Sequence, residues 1–392
     1  MERRKFIKAG GAAALAGLLA GCASPNEGSS DPTEEPTETT QATTEATTEA
    51  TTEATEEETT TESASYSVSM TPVGEVTFEQ VPEKIAVYMP GYADMLVALG
   101  HGDAVASVGQ KARFHTTPYD ELDGVSVDKS NMVDLVSAGV TKETFLDIDA
   151  DLNLIDPNWL INVFGMAEDD VQFIEERTAP FLGNTIFRRT DAWHDYEYYT
   201  LYGAFEKVSQ VVQEQERYEA FKAFHDEYID RISQDVPSEG PRGALVWGGK
   251  DNPTSFSPYH LSGQGSNKKS FHDLNVRDAI ANSDVEALSE SQRSKIDYET
   301  LLDLDPEVLF VRGHEDKTPE EFQNTVVSFM QDHDTASRIT AVENGDVYRG
   351  GPIYLGPIQH LFLTERFATD LYPETFSGEL FDRAELASIV NS

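Results

Sequence analysis

The thirteen-residue stretch ETFLDIDADLNLI, beginning at Glu143, returns as ETLLDLDPEVLFV beginning at Glu299, with five positions identical and most of the others conservative. A unit written twice so far apart restricts the chain to folds built from two similar halves. Each copy reads as a short helix turning into a strand. Thr141 and Asp297 stand two residues ahead of the glutamates as N-caps, which puts Glu143 and Glu299 in a first helical turn, where the helix dipole favours negative charge. Phe145, Leu146 and Ile148 in one copy, and Leu301, Leu302 and Leu304 in the other, supply a side to bury. The chain then turns at Asp149-Ala150 or Asp305-Pro306 into an apolar run.

The surroundings of the two copies share a rhythm. Ser65 to Met70 alternates as an edge strand or hairpin arm. Ile85 to Met89, Val105 to Val108, Leu152 to Ile155 and Thr185 to Phe187 read as strands with helical segments between them, among them Ala93 to Leu99. After Pro241 the alternation restarts, with strands at Ala244 to Trp247, Val308 to Val311 and Asp346 to Tyr348. Helices are expected within Lys268 to Asn282, over Pro319 to Asp332, and over Leu361 to Leu371. Strands alternating with helices indicate an α/β fold in which each half holds a mostly parallel sheet. Between the halves, Tyr196 to Gln234 carries Phe205, Val208, Val212, Tyr218, Phe221, Phe224, Tyr228 and Ile232 at helical spacing, with no proline and no glycine after Gly203. A helix of about 30 residues would be roughly 45 Å long, a rigid spine between two lobes.

The amino-terminal end belongs to neither lobe. Arg3-Arg4-Lys5-Phe6-Ile7-Lys8 is a twin-arginine export signal, and the apolar run from Ala9 to Ala20 is too short to span a bilayer. Leu19-Ala20-Gly21-Cys22 reads as a lipobox, so Cys22, the single cysteine, is expected to carry lipid and anchor the protein to the outer face of the cell membrane. That leaves no cysteine for a disulfide, a zinc site or a thiol nucleophile. Residues 23–65, almost wholly Thr, Glu and Ala, have no apolar periodicity and read as an extended disordered tether.

The net charge of −41 shapes the rest. Residues 66–392 hold 57 acidic against 25 basic residues, or −32. Such a domain repels itself at ordinary ionic strength, whereas molar salt shortens the Debye length to ~3 Å. The balance implies a salt-loving source, an archaeon, and excludes nucleic acid as a partner.

PEKIAVYMPGYADMLVALGHGDAVASVG, the two glutamate stretches, the spine, AVENGDVYRGG and ERFATDLYPETF together resemble the extracytoplasmic substrate-binding lipoproteins of ABC importers, of the ferric siderophore, haem and cobalamin type, over most of residues 75–376. The resemblance implies an N-terminal lobe over 66–195, a spine helix over 196–236 and a C-terminal lobe over 240–392. It also implies a monomer working with a permease and its ATPase subunits, with no catalysis and no cofactor of its own. By position in the repeat, Glu143 and Glu299 match the residues that dock such a receptor onto permease arginines.

Open α/β sheets bind ligands beyond the carboxyl ends of their strands. Reading those ends nominates Tyr92, Arg113, Phe114, Trp159, Arg188 and Trp193 from the first lobe, and Trp247, Arg312, Arg349 and Tyr354 from the second. Tyr259 joins them from the glycine- and serine-rich segment SFSPYHLSGQGSNKKSF, read as a loop with Phe256 beside it. Guanidinium groups beside aromatic faces suit a bulky, partly anionic chelate such as ferric siderophore. Trp159 and Trp247 read equally as lobe core, and Arg188 as a partner for nearby acids. The nine histidines are scattered; His194, His260 and His314 could meet in the cleft but read as surface residues, so no metal site is expected. No HExxH, EF-hand, P-loop or dinucleotide motif occurs, and Gly263-Gln264-Gly265-Ser266 lacks the setting of a nucleophile elbow. The alternatives are a cobalamin receptor of the same family, leaning on tryptophan more than arginine, and a membrane-anchored enzyme acting on metal chelates.

Overall fold

Two antiparallel strands, β1 (Tyr66–Met70) and β2 (Gly74–Phe78), open the part of the chain that the computed structural model describes, residues 65–286 and 295–392. The export signal, Cys22 and the tether lie outside the described residues.

Two sheets follow. The first has the order β5-β4-β3-β6, formed by β3 (Ile85–Val87), β4 (Val105–Val108), β5 (Val133–Asp134) and β6 (Leu152–Leu154), all parallel. The second has the order β11-β10-β7-β8, formed by β7 (Arg242–Trp247), β8 (Ser257–Tyr259), β10 (Val308–Arg312) and β11 (Val347–Arg349), with β9 (Arg277–Asp278) also on β7. Only β8 runs antiparallel within it. Helices α1 (Pro90–Ala98), α2 (Lys142–Ile148), α3 (Pro157–Phe164), α4 (Leu201–Val211), α5 (Gln215–Asp235), α6 (Lys269–Asp273), α7 (Tyr298–Leu304) and α8 (Pro357–Leu371) frame these sheets. The central strands are buried along their whole length, which is why Ile85–Val87 and Val308–Val311 are written as unbroken apolar runs.

The doubled sequence is a doubled structure. In α2 the Thr141 side chain accepts from Thr144 N, and in α7 the Asp297 side chain accepts from Thr300 N. Both helices have seven residues, and both are closed by an aspartate in the left-handed conformation, Asp149 at φ 51° and Asp305 at φ 41°. Phe145 and Ile148, and Tyr298 and Leu301, are the buried faces. Leu146 is instead exposed, because the helix is too short to turn three of its aliphatic positions inward.

The spine departs from expectation. It is a hairpin of α4 and α5, not one rod. Gln213 adopts φ 58°, Glu214 N donates to Ser209 O at 2.9 Å, and the chain doubles back. Phe205 then packs edge-on against Tyr218 and Phe221, with ring centroids 5.3 and 5.4 Å away, and Tyr202 stacks 4.0 Å from His225. A left-handed glutamine costs about 1–2 kcal/mol. Burying this aromatic cluster offsets it, an effect invisible to local propensity. Helix α5 alone, about 31 Å long, connects the lobes.

Smaller differences have similar causes. Thr185–Phe187 is irregular, because the sheet edge is reached instead by an isolated bridge between Asn153 and Phe181. The segment read as a loop contains β8, and helix within Lys268 to Asn282 is confined to the 3-10 turn Ser266–Lys268 and α6. Helix α8 starts four residues before Leu361, at Pro357, a residue that suits a first helical position.

The lobes meet through α1 and α8. Asp94 on α1 accepts from Ile358 N (2.8 Å) and Gln359 N (3.3 Å) at the start of α8, and from Tyr119 Oη at 2.5 Å. The described residues of both lobes consequently form one compact unit rather than two separable ones. Replacing Phe205 by alanine should destabilise the protein by about 3–5 kcal/mol. Denaturant titration in molar salt measures this, and a loss below about 1 kcal/mol would show that the hairpin is not held by its aromatic cluster.

Candidate functional site

Residues at or near the carboxyl ends of the strands of both sheets gather at one place where the lobes meet. From the first lobe come Tyr88 after β3, Arg113 after β4, Trp159 in the first turn of α3, and Phe187 and Arg188 on the irregular crossing segment. From the second come Trp247 ending β7, Arg312 ending β10 and Tyr354 after β11, with Tyr259 of the antiparallel β8 opposite Leu245. Asp156 orients much of the first wall. Its carboxylate caps α3 through Asn158 N (3.0 Å) and accepts from Thr185 N and Oγ1 and from the Tyr196 hydroxyl, so Trp159 and the 185–196 segment are fixed to one buried anchor.

Contacts cross between lobes. The Arg113 guanidinium of the first lobe lies 5.3 Å over the Trp247 ring of the second. Tyr354 is edge-on to Phe187 at 4.9 Å and to Tyr88 at 6.4 Å. Trp159 is 5.7 Å from Tyr88, 5.3 Å from Phe187 and 6.4 Å from Trp193, a continuous aromatic wall. Arg188 caps that wall, 5.5 Å over Trp159, while pairing with Asp191 at 2.8 Å.

The cations are the telling feature. Arg312 is wholly buried, stacks 5.0 Å over Tyr259, and donates to Gly350 O (3.1 Å) and Asn267 O (2.6 Å), while its Nη1 has no partner. Burial pushes its pKa down to about 10. Lys268 is 2 % exposed and donates to Gln264 O at 3.0 Å. Burial, then the field of Arg312, pushes its amine down to about 8. Burial raises the Tyr259 hydroxyl, opposed by Arg312, Arg188 and Arg113, and burial raises Tyr354, opposed by Arg113 and Arg188. Among the described residues, Arg113, Arg312 and Lys268 make no ion pair with a carboxylate, in a domain otherwise crowded with them. The Asp278 and Glu315 carboxylates act on Lys268 and Arg312 only from beyond ion-pairing distance, so the three positive charges leave room for a negative partner.

Arg113, Trp159, Arg188, Trp193, Trp247, Tyr259, Arg312 and Tyr354 are thus brought together. Tyr92, Phe114 and Arg349 are not. The Tyr92 hydroxyl donates to Asn184 O at 2.8 Å inside the first lobe, because α1 turns that residue away from the cleft. Phe114 is fully buried against Tyr119. Arg349 donates to Lys317 O and borders the Glu315–Arg366 ion pair of 2.8 Å. Phe256 packs on Tyr298 in the second lobe's core. His260 meets Asp278 and Val285 O, and His314 meets Gly248 O, so neither joins His194. Among the described residues, no group of three or more metal-binding side chains forms. Tyr88, Phe187 and Lys268 are additions. Tyr88 was findable as the residue ending a strand, whereas Lys268 sits in an Asn-Lys-Lys run that reads as solvated surface. Glu143 and Glu299 are both exposed, each in its first helical turn.

Two lobes, each built on a mostly parallel sheet, thus bring aromatic and cationic side chains together where they meet. The family model of the periplasmic binding proteins matches residues 85–354, and the chain belongs to that family. No curated protein sequence matches it. Its fold is similar to that of the petrobactin-binding protein of Bacillus subtilis, at 16% identity over 79% of this chain and 99% of that one, TM-score 0.54. It is also similar to an iron-uptake ABC transporter substrate-binding protein of Streptococcus pneumoniae, at 15% identity, 78% and 98% coverage, and TM-score 0.52. The periplasmic catecholate-siderophore binding protein of Vibrio cholerae gives 17%, 79%, 100% and 0.51. Among the described residues no helix is long and apolar enough to cross a membrane.

The lowered Lys268 pKa has a definite sign. Between pH of about 8 and 10.5 the unfolded chain holds a proton the folded one has released, so stability rises with pH across that window, and the full penalty is felt below it. Lys268→Met should therefore raise stability at neutral pH by on the order of 3 kcal/mol, a gain that vanishes above pH 10.5. Denaturant midpoints at several pH values check it; a destabilised variant at neutral pH would contradict the assignment.

Proposed function

We propose that this protein is the substrate-binding receptor of an ABC importer, capturing an anionic ferric chelate between its lobes and presenting it to a membrane permease. The convergence of Arg113, Arg188, Arg312 and Lys268 with Tyr88, Trp159, Trp247, Tyr259 and Tyr354 carries this reading. Flat, anionic, metal-bound rings satisfy both halves of such a site: the aromatic faces take the rings, and the cations neutralise the charge. The siderophore- and iron-related names of the fold relatives point the same way. A neutral hydroxamate complex or a corrin would leave the buried cations uncompensated. Membership of a family of binding proteins supports a role without catalysis. In the same reading the protein is exported, lipidated at Cys22, and held at the outer face of the membrane of a salt-loving archaeon by its acidic tether. Glu143 and Glu299 dock the two lobes on the permease and its ATPase assembly.

Titrating the full chain in molar salt with ferric tris-catecholate, ferric hydroxamate, haem and cobalamin, followed by tryptophan fluorescence, tests the ligand. The tris-catecholate should bind, and Arg113→Ala or Arg312→Met should each weaken it about ten- to hundredfold. Quenching by cobalamin alone would sink the iron reading, and turnover of a chelate would favour an enzyme. Charge reversal at Glu143 together with Glu299 should abolish uptake in cells and leave affinity intact; lost affinity would refute the docking role.

A further inference from the structure

The irregular segment ahead of α4 is tied at its base and packed, at its tip, over the aromatic wall. Thr185 N and Oγ1 (2.9 and 2.8 Å) and the Tyr196 hydroxyl all donate to one oxygen, Asp156 Oδ2, so both ends of the segment meet at a single carboxylate. Arg189 closes the same neck: its Nη2 donates to Asn184 Oδ1 at 2.7 Å and to Glu197 O at 2.9 Å, and its guanidinium lies 4.6 Å over the Tyr196 ring. The tip has bonds of its own. Arg188 pairs with Asp191 at 2.8 Å, and His194 N donates to Asp191 O at 3.1 Å. A loop bonded to itself at tip and neck, in the manner of an Ω-loop, is built to swing as one piece.

Trp159 lies beneath that tip. Trp193 packs 6.4 Å from it, and the Arg188 guanidinium lies 5.5 Å over the same indole and 5.3 Å over Phe187. With the turn down, Trp159 is only 4 % exposed, so a flat ligand ring has no free face of it to stack on. The fit of the tip is incomplete. Trp193 Nε1 and both ring nitrogens of His194 are buried without a partner, between the exposed Ala192 and Asp195. An indole N–H and an imidazole have hydrogen bonds to make, and water supplies them once the turn lifts. The closed arrangement therefore shields the wall while leaving three polar atoms unmet, and the neck bonds can stay in place as the tip moves. Trp247, in contrast, belongs to β7 of the second lobe and packs under Arg113 at 5.3 Å.

We propose that residues 188–195 are a lid over the aromatic wall, hinged at Asp156 and Asn184, and that Trp193 and Arg188 hold on Trp159 the place a flat ring of the ligand takes when the lid lifts. The lid stands on the contacts of the turn itself; only the nature of the ring rests on the chelate reading above. The full chain in molar salt, carrying fluorotryptophan, gives one fluorine resonance for each of its three tryptophans, assigned by replacing each in turn with phenylalanine. Without ligand, Trp159 and Trp193 should both show microsecond-to-millisecond exchange, or two resolved populations, that Trp247 lacks. Single static signals from Trp159 and Trp193 overturn the lid, and so does exchange shared equally by all three, which would be a motion of whole lobes. Trp193→Ala should then raise the association rate of ferric tris-catecholate about tenfold or more, because the closed state no longer competes. An unchanged association rate with faster dissociation would make Trp193 a plain ligand contact and overturn the proposal. Exchange confined to Trp159 and Trp193 in a protein that binds no chelate upholds the lid and removes the iron reading instead.

Discussion

The geometry of this protein depends on one buried carboxylate. Asp94 sits on the first helix of one lobe and closes the open amino end of α8 in the other, taking two of its unpaired backbone N–H groups. The approach is so close that side chains are excluded. A Cβ at Gly91 would lie 2.7 Å from Leu355 O, and one at Gly356 would lie 2.3 Å from the Asp94 Cβ. Tyr88 stands just ahead of α1 and Tyr354 just ahead of α8, so this contact also fixes the spacing of two aromatics facing each other from opposite lobes. The cleft is thus built from the junction outward rather than from the sheets inward.

Against that rigid frame the cleft is electrostatically unfinished. Burying a positive charge without a partner is unfavourable, and the chain does it at Arg312 and Lys268 amid a surplus of carboxylates that would have compensated them. Neighbouring cations show the contrast. Arg366 has Glu315 at 2.8 Å, and Lys269 has Asp273 at 3.0 Å. Under the proposed function, in strong salt, long-range attraction is screened within a few ångströms, so an anionic chelate would be recognised at contact.

Much of this was legible in the sequence. The two lobes, their parallel strands and the doubled helix follow from apolar runs and caps, because those signals are local. The hairpin was not legible: a left-handed Gln213 carries no glycine or proline to announce it, and only contacts between Phe205, Tyr218 and Phe221 select it. The cleft was half legible. Strand ends nominate residues, but whether Tyr92 or Tyr88 faces the gap depends on how α1 is rotated by its contact with α8. Lys268 had no local signature, since a buried lysine and a solvated one are spelled alike.

The aspartates that terminate α2 and α7 carry a separate consequence. A left-handed backbone is unfavourable for most residues with a side chain, aspartate less than others, and here it occurs at matching places, Asp149 and Asp305, each just ahead of a strand, the edge strand β6 and the internal strand β10. The first sheet is wholly parallel and the second has an antiparallel edge at β8, so the sheets differ while the entry into them does not. The same backbone bend aims each of these chain segments into its strand, so the two halves share a steering device even where their sheets part company.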